Sequence, residues 1–327
     1  MQFKIGIDNY GLYPLNLDPM ETLQWALDNK AEGVAFSGLN EEMRAKCSSE
    51  YLKRMAGFAG DYDLYLEWGG GQHIPRDMTS WEKKDTFFNN KRSAEEANAL
   101  GADIIRSCSG GLMRWDPKSL STKQLMEEMA DELSLQLQML RDHQVVLAIE
   151  THFEFTTFEL LKVFEWCGVE PGDCLGICLD TMNLLTMLED PLSATERVLP
   201  WIVSTHIKDG CILTTDHGLK TYTSPIGAGI IDLGSIAGKL KGPDRSINLS
   251  IEDHGGDFEL PIYNPRFLQE FPDLTSSELV ILIELAKKSE KLLEEGVWEP
   301  MPREDWPLYC EKRIVEGIEG LKKIVHG

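Results

Sequence analysis

Short apolar segments alternate with longer amphipathic segments along most of the 327-residue chain. This alternation is typical of repeated strand and helix units, because a buried strand is continuously apolar whereas a surface helix is apolar on one face only. Eight segments are interpreted as strands, at residues 2–8, 33–37, 63–68, 102–107, 145–150, 174–180, 202–207 and 247–252. Eight alternating units predict an α/β fold, a closed (β/α)8 TIM barrel. An open doubly wound sheet is the alternative, but Asp8-Asn9-Tyr10-Gly11 after the first strand is not its glycine-rich phosphate turn.

Helices are predicted around these strands, at residues 19–30, 41–60, 80–99, 119–142, 156–166, 189–198, 233–240 and 275–294. Asp18 before Pro19, and Thr275 three residues before Glu278, are typical helix N-termini. After residue 294, a proline-rich connector precedes an additional amphipathic C-terminal helix. We therefore expect one domain over residues 1–327, in which residues 295–327 are a C-terminal extension used for packing or for contact with another subunit.

Four acidic or imidazole residues lie at the ends of the last four predicted strands, namely Glu150, Asp180, His206 and Glu252. In a TIM barrel the carboxyl ends of the strands surround one mouth, so residues that are distant in sequence converge there. Three carboxylates and one imidazole suit a hard divalent cation. The sequence therefore predicts a site for one divalent metal ion.

Three further residues with reactive side chains follow these ligands by two positions. His152 follows Glu150, His254 follows Glu252, and alternation along a strand turns residues two apart to the same side. Both histidines are therefore candidates for acid/base catalysis, and the alternative is that each caps the loop that follows. Lys208 has the same spacing from the predicted histidine ligand, and it is a candidate to stabilise an oxyanion or bind a carboxylate, unless it is a solvated surface lysine.

The opposite wall of the mouth is expected to come from the third and fourth strand–helix connections. Candidate substrate-binding residues there are Trp68, His73, Arg106, Arg114 and Trp115. The long segment at residues 255–274, after the eighth strand, is interpreted as a specificity lid. Its candidate residues are Phe258, Tyr263, Asn264 and Arg266.

The motifs IETH, LDTMN, THIKD, PIGAGIID and SIEDH resemble those of the xylose isomerase-like barrel superfamily, which contains sugar phosphate isomerases and epimerases. The resemblance covers approximately residues 2–295 and implies that Glu150, Asp180, His206 and Glu252 bind one divalent ion, with Mn²⁺ expected first and Mg²⁺ or Co²⁺ as alternatives. In the ketose epimerases of that superfamily, the two glutamates also exchange protons on opposite faces of the sugar. Those epimerases carry a substrate-binding histidine three residues after the metal aspartate, where this chain has Asn183, which is therefore a further substrate-binding candidate.

The resemblance implies a divalent-metal-dependent isomerase or epimerase of a sugar or keto-sugar, which abstracts a proton through a metal-stabilised enediolate. The catalytic candidates are then Glu150, Glu252, His152, His254 and Lys208. The alternative is a metal-dependent lyase of an oxo-sugar derivative. That lyase is either the large subunit of a C-glycoside deglycosidase that cleaves 3-oxo-glycosides, or an oxo-sugar-acid decarboxylase or dehydratase. A non-catalytic sugar-binding protein with a structural ion is a third interpretation.

Composition narrows the expected partners. The chain carries 32 Lys and Arg against 54 Asp and Glu, a formal net charge of -22, which repels nucleic acids and anionic membranes. Its 7 cysteines show no paired metal or redox motif, so reduced thiols are expected. The sequence shows no secretion signal and no membrane-spanning segment, which favours the cytoplasm. The expected partners are a small sugar or glycoside, further copies of the chain, and a small second subunit if the protein is a deglycosidase.

Overall fold

The computed structural model describes residues 3–108, 114, 118–242 and 246–326. The strands in these ranges are β1 (Ile5–Asp8), β2 (Gly33–Phe36), β3 (Tyr65–Gly71), β4 (Ile104–Ser107), β5 (Val146–Glu150), β6 (Leu175–Asp180), β7 (Ile202–Ile207), β8 (Asp209–Thr215), β9 (Gly218–Ser224), β10 (Leu249–Ile251) and β11 (Asp257–Leu260). Strands β1 to β7 and β10 form a closed barrel of parallel strands, in which β10 pairs with both β7 and β1. The predicted TIM barrel is therefore confirmed, and each predicted strand overlaps one barrel strand.

The helices of the described ranges surround this barrel. They are α1 (Pro19–Asp28), α2 (Glu41–Lys46), α3 (Ser49–Asp61), α4 (Thr86–Leu100), α5 (Thr122–Ser134), α6 (Leu137–Asp142), α7 (Thr157–Cys167), α8 (Asn183–Thr186), α9 (Pro191–Val198), α10 (Leu233–Leu240), α11 (Pro265–Leu268), α12 (Ser276–Glu294) and α13 (Trp306–His326). The caps predicted at Asp18 and Thr275 are confirmed, and each forms a capping box. None of the described helices is both long enough and apolar enough to cross a membrane.

Three predicted helix boundaries were wrong. The helix predicted at 41–60 is two helices, because the side chain of Ser48 caps α3 by accepting a hydrogen bond from Tyr51 N. The helix predicted at 119–142 is also two helices, separated at Gln136, whose buried amide donates to Thr86 Oγ1 at 2.9 Å. The helix predicted at 80–99 begins only at Thr86, after the cap Asp85. Tertiary hydrogen bonds and local caps thus interrupted a continuous amphipathic pattern.

A small sheet at the barrel mouth was missed by the sequence analysis. Strands β8, β9 and β11 form an antiparallel sheet in the order β11-β9-β8, and α12 packs against β8. The segment interpreted as a lid therefore begins with a strand that pairs with β9. The turn between β8 and β9 ends at Gly218, whose φ of 149° is one that L side chains rarely adopt.

The C-terminal helix predicted from the sequence is confirmed as α13, and it packs against β1, β10 and α10. Trp306 at its start is fully buried and donates its indole N–H to the carbonyl oxygen of Gly11 at 3.0 Å. Arg313 pairs with the buried Asp253, the second residue after the eighth barrel strand. This helix therefore covers the seam at which the last barrel strand meets the first.

A polar network fills the barrel interior. Glu67 on β3 accepts hydrogen bonds from Ser204 Oγ at 2.7 Å and from Asn248 Nδ2 at 3.1 Å. Tyr65 reaches Ser250 Oγ at 2.7 Å, and its ring passes so close to Gly33 that a Cβ there would lie 2.1 Å from it. Burial raises the pKa of Glu67 to about 6.

Candidate metal centre

The four predicted ligands converge at the carboxyl end of the barrel. Glu150 and Asp180 are the last residues of β5 and β6, His206 lies in β7, and Glu252 directly follows β10. One ligand atom from each residue lies within 4.8 Å of the others, and all four residues are buried. Asp180 and His206 are register partners in the β6–β7 pair, which explains why neighbouring parallel strands bring distant residues together.

The donor atoms of this cluster fit a shared cation. His206 Nδ1 lies 3.4 Å from Glu150 Oε1 and 3.5 Å from Glu252 Oε2, without hydrogen-bond geometry. Among the described residues, neither ring nitrogen of His206 has a hydrogen-bond partner, whereas Asp180 Oδ2 and Glu252 Oε2 are ion-paired with Lys208 without hydrogen-bond geometry. Buried polar atoms are normally satisfied, so an imidazole without a hydrogen bond among three carboxylates indicates a ligand that joins them. Three carboxylates and one imidazole fit a divalent metal ion.

Two cations accompany the three carboxylates. Lys208 Nζ lies 2.9 Å from Asp180 Oδ2 and also pairs with Glu252, whereas Arg106 pairs with Glu150. With His206 neutral, as a metal ligand must be, the three carboxylates carry one more charge than these two cations compensate. A buried excess of negative charge is costly, and a divalent cation would neutralise it.

The carboxyl groups of the cluster have shifted pKa values in both directions. Burial raises the pKa of Asp180 to about 6, and the Lys208 ammonium opposes this effect. Burial also raises the pKa of Glu150 and of Glu252, but the cations beside them dominate. Arg106 brings the pKa of Glu150 below its ordinary value, and Lys208 does the same for Glu252. Both glutamates are therefore held ionised, as metal ligands must be.

Asp8 is a member of the site that the sequence analysis did not select. It is the last residue of β1, fully buried, with Oδ2 at 3.5 Å from His206 Nε2. Its other oxygen accepts a hydrogen bond from Tyr10 N and caps the 3-10 helix Asn9–Leu15. The rule that selected the four ligands, a charged residue at a strand end, applies equally to Asp8.

His152 belongs to a second group of converging donors. Ligand atoms of Cys108, His152 and Glu154 lie within 4.8 Å of one another, and His152 Nδ1 is 2.9 Å from Glu154 Oε1. Burial lowers the pKa of His152, but the neighbouring Cys108 and Glu154 raise it further, so that it lies above its ordinary value. The arrangement is able to hold a proton-donating imidazolium, and its sulfur, nitrogen and oxygen donors also suit a transition metal.

His254 is held neutral beside the cluster. Its Nδ1 lies 3.0 Å from the carbonyl oxygen of Gly255, to which it donates, and its Nε2 lies 3.2 Å from Lys208 Nζ, from which it accepts. Burial, followed by the charge of Lys208, lowers the pKa of His254 to about 3. This histidine therefore orients the lysine and accepts hydrogen bonds rather than carrying charge.

Two adjoining cavities form the mouth of the barrel. The smaller, of about 360 Å³, is lined by Glu252 together with His152, Cys108 and Arg106. The larger, of about 650 Å³, lies between the antiparallel sheet and the connector before α13. The residues that line both are Phe153, Lys208, His254 and Arg303. These volumes suit a small-molecule ligand.

Two of the predicted substrate-binding residues line these cavities. Arg106 lines the smaller one, and Asn183 lines the larger one, where its Nδ2 donates to Glu150 Oε1 at 3.3 Å. Phe258 also lines the larger cavity, where its ring stacks on Phe153 at 5.1 Å.

The other wall candidates lie away from both cavity linings. Trp68 is buried in the core and donates to Glu96, whereas His73 is buried with its Nδ1 at 2.8 Å from Ser107 Oγ. Four other candidates in the described part of the chain do not line either cavity, namely Tyr263, Asn264, Arg266 and Arg114. The side chain of Tyr263 is 66% exposed, whereas Arg114 is buried and pairs with Glu159. Trp115 lies outside the described residues.

The connector before α13 contributes residues that the sequence analysis treated only as a linker. Residues 300–304 line the larger cavity, and Arg303 lines both. No motif distinguishes this segment in the sequence, because its role depends on where α13 returns the chain to the mouth.

A protein-family model described as a xylose isomerase-like TIM barrel matches residues 23–270. The 3-oxo-isoapionate decarboxylase of Pectobacterium atrosepticum is 26% identical over 136 residues, which are 41% of this chain and 48% of the relative. The match thus spans about half the length of that curated protein.

Solved structures show the same barrel. The probable 3-DHS dehydratase AsbF from Bacillus anthracis superposes with a TM-score of 0.60 at 17% identity, over 90% of this chain and 99% of that one. The 3-keto-D-glucoside 4-epimerase YcjR from E. coli has a TM-score of 0.60 at 14% identity, over 86% and 100% of the two chains. At these identities the similarity establishes the fold.

Proposed function

The chain belongs to the xylose isomerase-like TIM barrel family, and we propose that it is a divalent-metal-dependent isomerase or epimerase of a sugar or keto-sugar. The observation that carries this proposal is the convergence of Glu150, Asp180, His206 and Glu252 in the barrel mouth, where both ring nitrogens of His206 lack a hydrogen-bond partner among the described residues. Glu252 of the cluster lines a cavity of about 360 Å³, through which a small substrate has access to this ligand.

A bound divalent ion would supply the positive charge that polarises a carbonyl group and stabilises the oxyanion formed when the neighbouring carbon loses a proton. The residues of the chain hold and move that proton. His152 lines the same cavity as Glu252, and Glu154 holds its ring by a contact at Nδ1. We assign proton transfer to His152 on one side of the substrate and to Glu252 on the other. Lys208 keeps Glu252 ionised.

The ring contacts around the mouth limit access of water to the transferred proton. Phe153 lies between the two cavities, stacks on Phe258 and contacts the His152 ring at 4.0 Å between centroids. An apolar screen of this kind strengthens electrostatic interactions inside the site.

The test is a screen of keto-sugars in D₂O with Mn²⁺, Mg²⁺ or Co²⁺ added to the full chain. We expect deuterium in the isomerised product, and complete loss of turnover with EDTA. Asp180→Asn should also abolish turnover, and it keeps an oxygen for the hydrogen bonds that Asp180 Oδ1 accepts from Met182 N and Asn183 N. Asp232→Asn, at the cap of α10, is the matched control. Turnover that survives both EDTA and Asp180→Asn contradicts the proposal.

A lyase of an oxo-sugar acid is the second candidate. Of the cationic side chains that line the smaller cavity, Arg106 and Lys208 are paired with carboxylates of the cluster, whereas the guanidinium of Arg303 suits a substrate carboxylate. The similarity to 3-oxo-isoapionate decarboxylase supports the same chemistry. Release of CO₂ from an oxo-sugar acid without isomer formation would establish it. Release of an aglycone from a 3-oxo-glycoside would indicate the deglycosidase form, for which a small second subunit is expected.

A further inference from the structure

The segment from Trp298 to Trp306, here called the strap, is fixed at both ends across the barrel mouth. Trp298 is buried and packs against Tyr222 of β9, with ring centroids 5.9 Å apart. Trp306 is fully buried and donates to the carbonyl oxygen of Gly11 in the 3-10 helix after β1. The strap therefore connects the antiparallel sheet to the opposite rim, and the residues between its two tryptophans are held against the cavities.

Arg303 in the strap is a cation whose charge is available to a ligand. Its Nη2 donates to Tyr10 Oη at 2.8 Å, and the Tyr10 ring contacts His254 edge-on at 5.3 Å. The other cations that line the two cavities, Arg106 and Lys208, are paired with carboxylates of the metal cluster. Within the described residues, Arg303 has no carboxylate oxygen within 4.0 Å, although it lines both cavities.

We propose that Arg303 binds a carboxylate group of the substrate, so that the substrate is an oxo-sugar acid rather than a neutral sugar. This inference rests on the proposed function, which accounts for the end of the substrate that reacts at the metal cluster. A guanidinium group has five N–H donors in a planar fork that matches a carboxylate, and the bond to Tyr10 fixes the fork while leaving other donors available.

The single positive charge of Arg303, in a strap that also contains Glu299, Glu304 and Asp305, favours a carboxylate over a phosphate dianion. A single guanidinium balances the single charge of a carboxylate, whereas a phosphate dianion is usually bound with additional backbone N–H donors at a helix N-terminus. The family match ends at residue 270, so the strap lies beyond the matched region. We therefore assign Arg303 to substrate specificity and leave the proton transfer to the barrel residues.

The experiment measures ligand binding to the Mn²⁺-loaded full chain by calorimetry, with three probes of equal carbon number: ribonate, ribitol and ribose 5-phosphate. The variants are Arg303→Gln and Arg303→Lys. Arg54→Gln is the control, because Arg54 is exposed and does not line either cavity. Like Arg303 it contacts a tyrosine, since its guanidinium carbon lies 5.2 Å from the ring centroid of Tyr51. None of these probes needs to react, so binding is measured independently of turnover.

We expect ribonate to bind the wild type more tightly than ribitol does, and Arg303→Gln to weaken ribonate binding about 10- to 100-fold without changing ribitol binding. Arg303→Lys should recover part of the loss, because it restores the charge but not the fork. Ribonate that binds no better than ribitol, or an equal loss for both in Arg303→Gln, overturns the inference. Preferential, Arg303-dependent binding of ribose 5-phosphate overturns the assignment to a carboxylate.

The two proposals fail separately. If ribonate binds through Arg303 but no sugar or sugar acid shows metal-dependent turnover, the proposed function is wrong and Arg303 remains an anion-binding residue. If EDTA-sensitive turnover of a neutral keto-sugar is found and Arg303→Gln leaves its KM unchanged, the substrate assignment is wrong and the function stands.

Discussion

Lys208 Nζ lies 2.9 Å from Oδ2 of Asp180, within the cluster of candidate metal ligands. Lys208 also pairs with Glu252 and donates a hydrogen bond to His254, which orients its ammonium group. The side chain of Lys208 is almost completely buried. A buried ammonium among carboxylates offsets part of their mutual repulsion. The free energy of unfolding without metal should therefore depend strongly on Lys208.

Lys208→Met should destabilise the metal-free protein by about 3 kcal/mol, because Asp180 and Glu252 lose their buried counter-charge. Added Mn²⁺ should raise the melting temperature of this variant more than that of the wild type, since the ion replaces the missing charge. Urea unfolding with and without Mn²⁺ measures both effects. Lys220→Met removes the more exposed pair with Asp257 and should cost less than about 1 kcal/mol. Equal stability of Lys208→Met and wild type without metal would contradict the prediction.

Metal binding should stabilise the wild type in proportion to the logarithm of ion concentration. At an Mn²⁺ concentration one hundred times Kd, the gain is about 2.7 kcal/mol. His206→Asn should lose most of this gain, because it removes the single nitrogen donor of the cluster. Thermal unfolding across an Mn²⁺ titration is the measurement, with the exposed His217→Asn as control. An unchanged shift in His206→Asn would show that the ion binds elsewhere.

Ionisation of the buried Glu67 should lower the free energy of unfolding as pH rises. Its folded-state pKa of about 6 lies above the ordinary value of 4.5, so the folded chain binds the proton more tightly than the unfolded chain. The contribution of Glu67 is therefore fully present below pH 4.5 and is lost as pH rises through 6. Glu67→Gln, which retains an acceptor for Asn248, should be more stable than the wild type at pH 8 by about 2 kcal/mol and equal to it near pH 4. Chemical unfolding at both pH values measures the difference.

His73 should have the opposite pH dependence. Burial, followed by the charge of Lys84, lowers its folded-state pKa to about 3 from 6.5, so the unfolded chain binds the proton more tightly. The contribution of His73 is fully present above pH 6.5 and is lost as pH falls toward 3. Relative to His73→Gln, the free energy of unfolding of the wild type should fall by up to about 1.4 kcal/mol for each pH unit below 6.5. Parallel stability curves for the two proteins, from unfolding at pH 7.5, 6 and 5, would contradict the prediction.

The C-terminal extension should be essential to the barrel. Trp306→Ala removes a fully buried ring and leaves the carbonyl of Gly11 without its donor, so it should cost about 4 kcal/mol. Leu308→Ala, two residues later and 77% exposed, should change stability by less than about 0.5 kcal/mol. Denaturant unfolding of both variants tests the prediction. A small effect of Trp306→Ala would mean that residues 295–327 dock only weakly.

The role of a residue could be predicted from the sequence where that role depends only on its position in its own strand or helix. The apolar strands, the charged residues Glu150, Asp180, His206 and Glu252 at their ends, and the caps of α1 and α12 all follow from periodicity and residue type. Asp8 also lies at the end of a strand, so the same criterion could have selected it from the sequence. By contrast, the breaks at Ser48 and Gln136 depend on hydrogen bonds that an amphipathic pattern does not encode.

The sequence by itself determined the barrel and the identity of the candidate ligands, because strand periodicity and the polarity of parallel strands are local properties that topology then brings to one rim. Tertiary structure alone decided the pairing of β8, β9 and β11 into a sheet, the burial of Trp68 and His73, and the position of the strap. Those features arise from contacts between segments far apart in the chain, such as Arg303 with Tyr10. Such contacts have no periodic signature, since they depend on where the folded backbone returns.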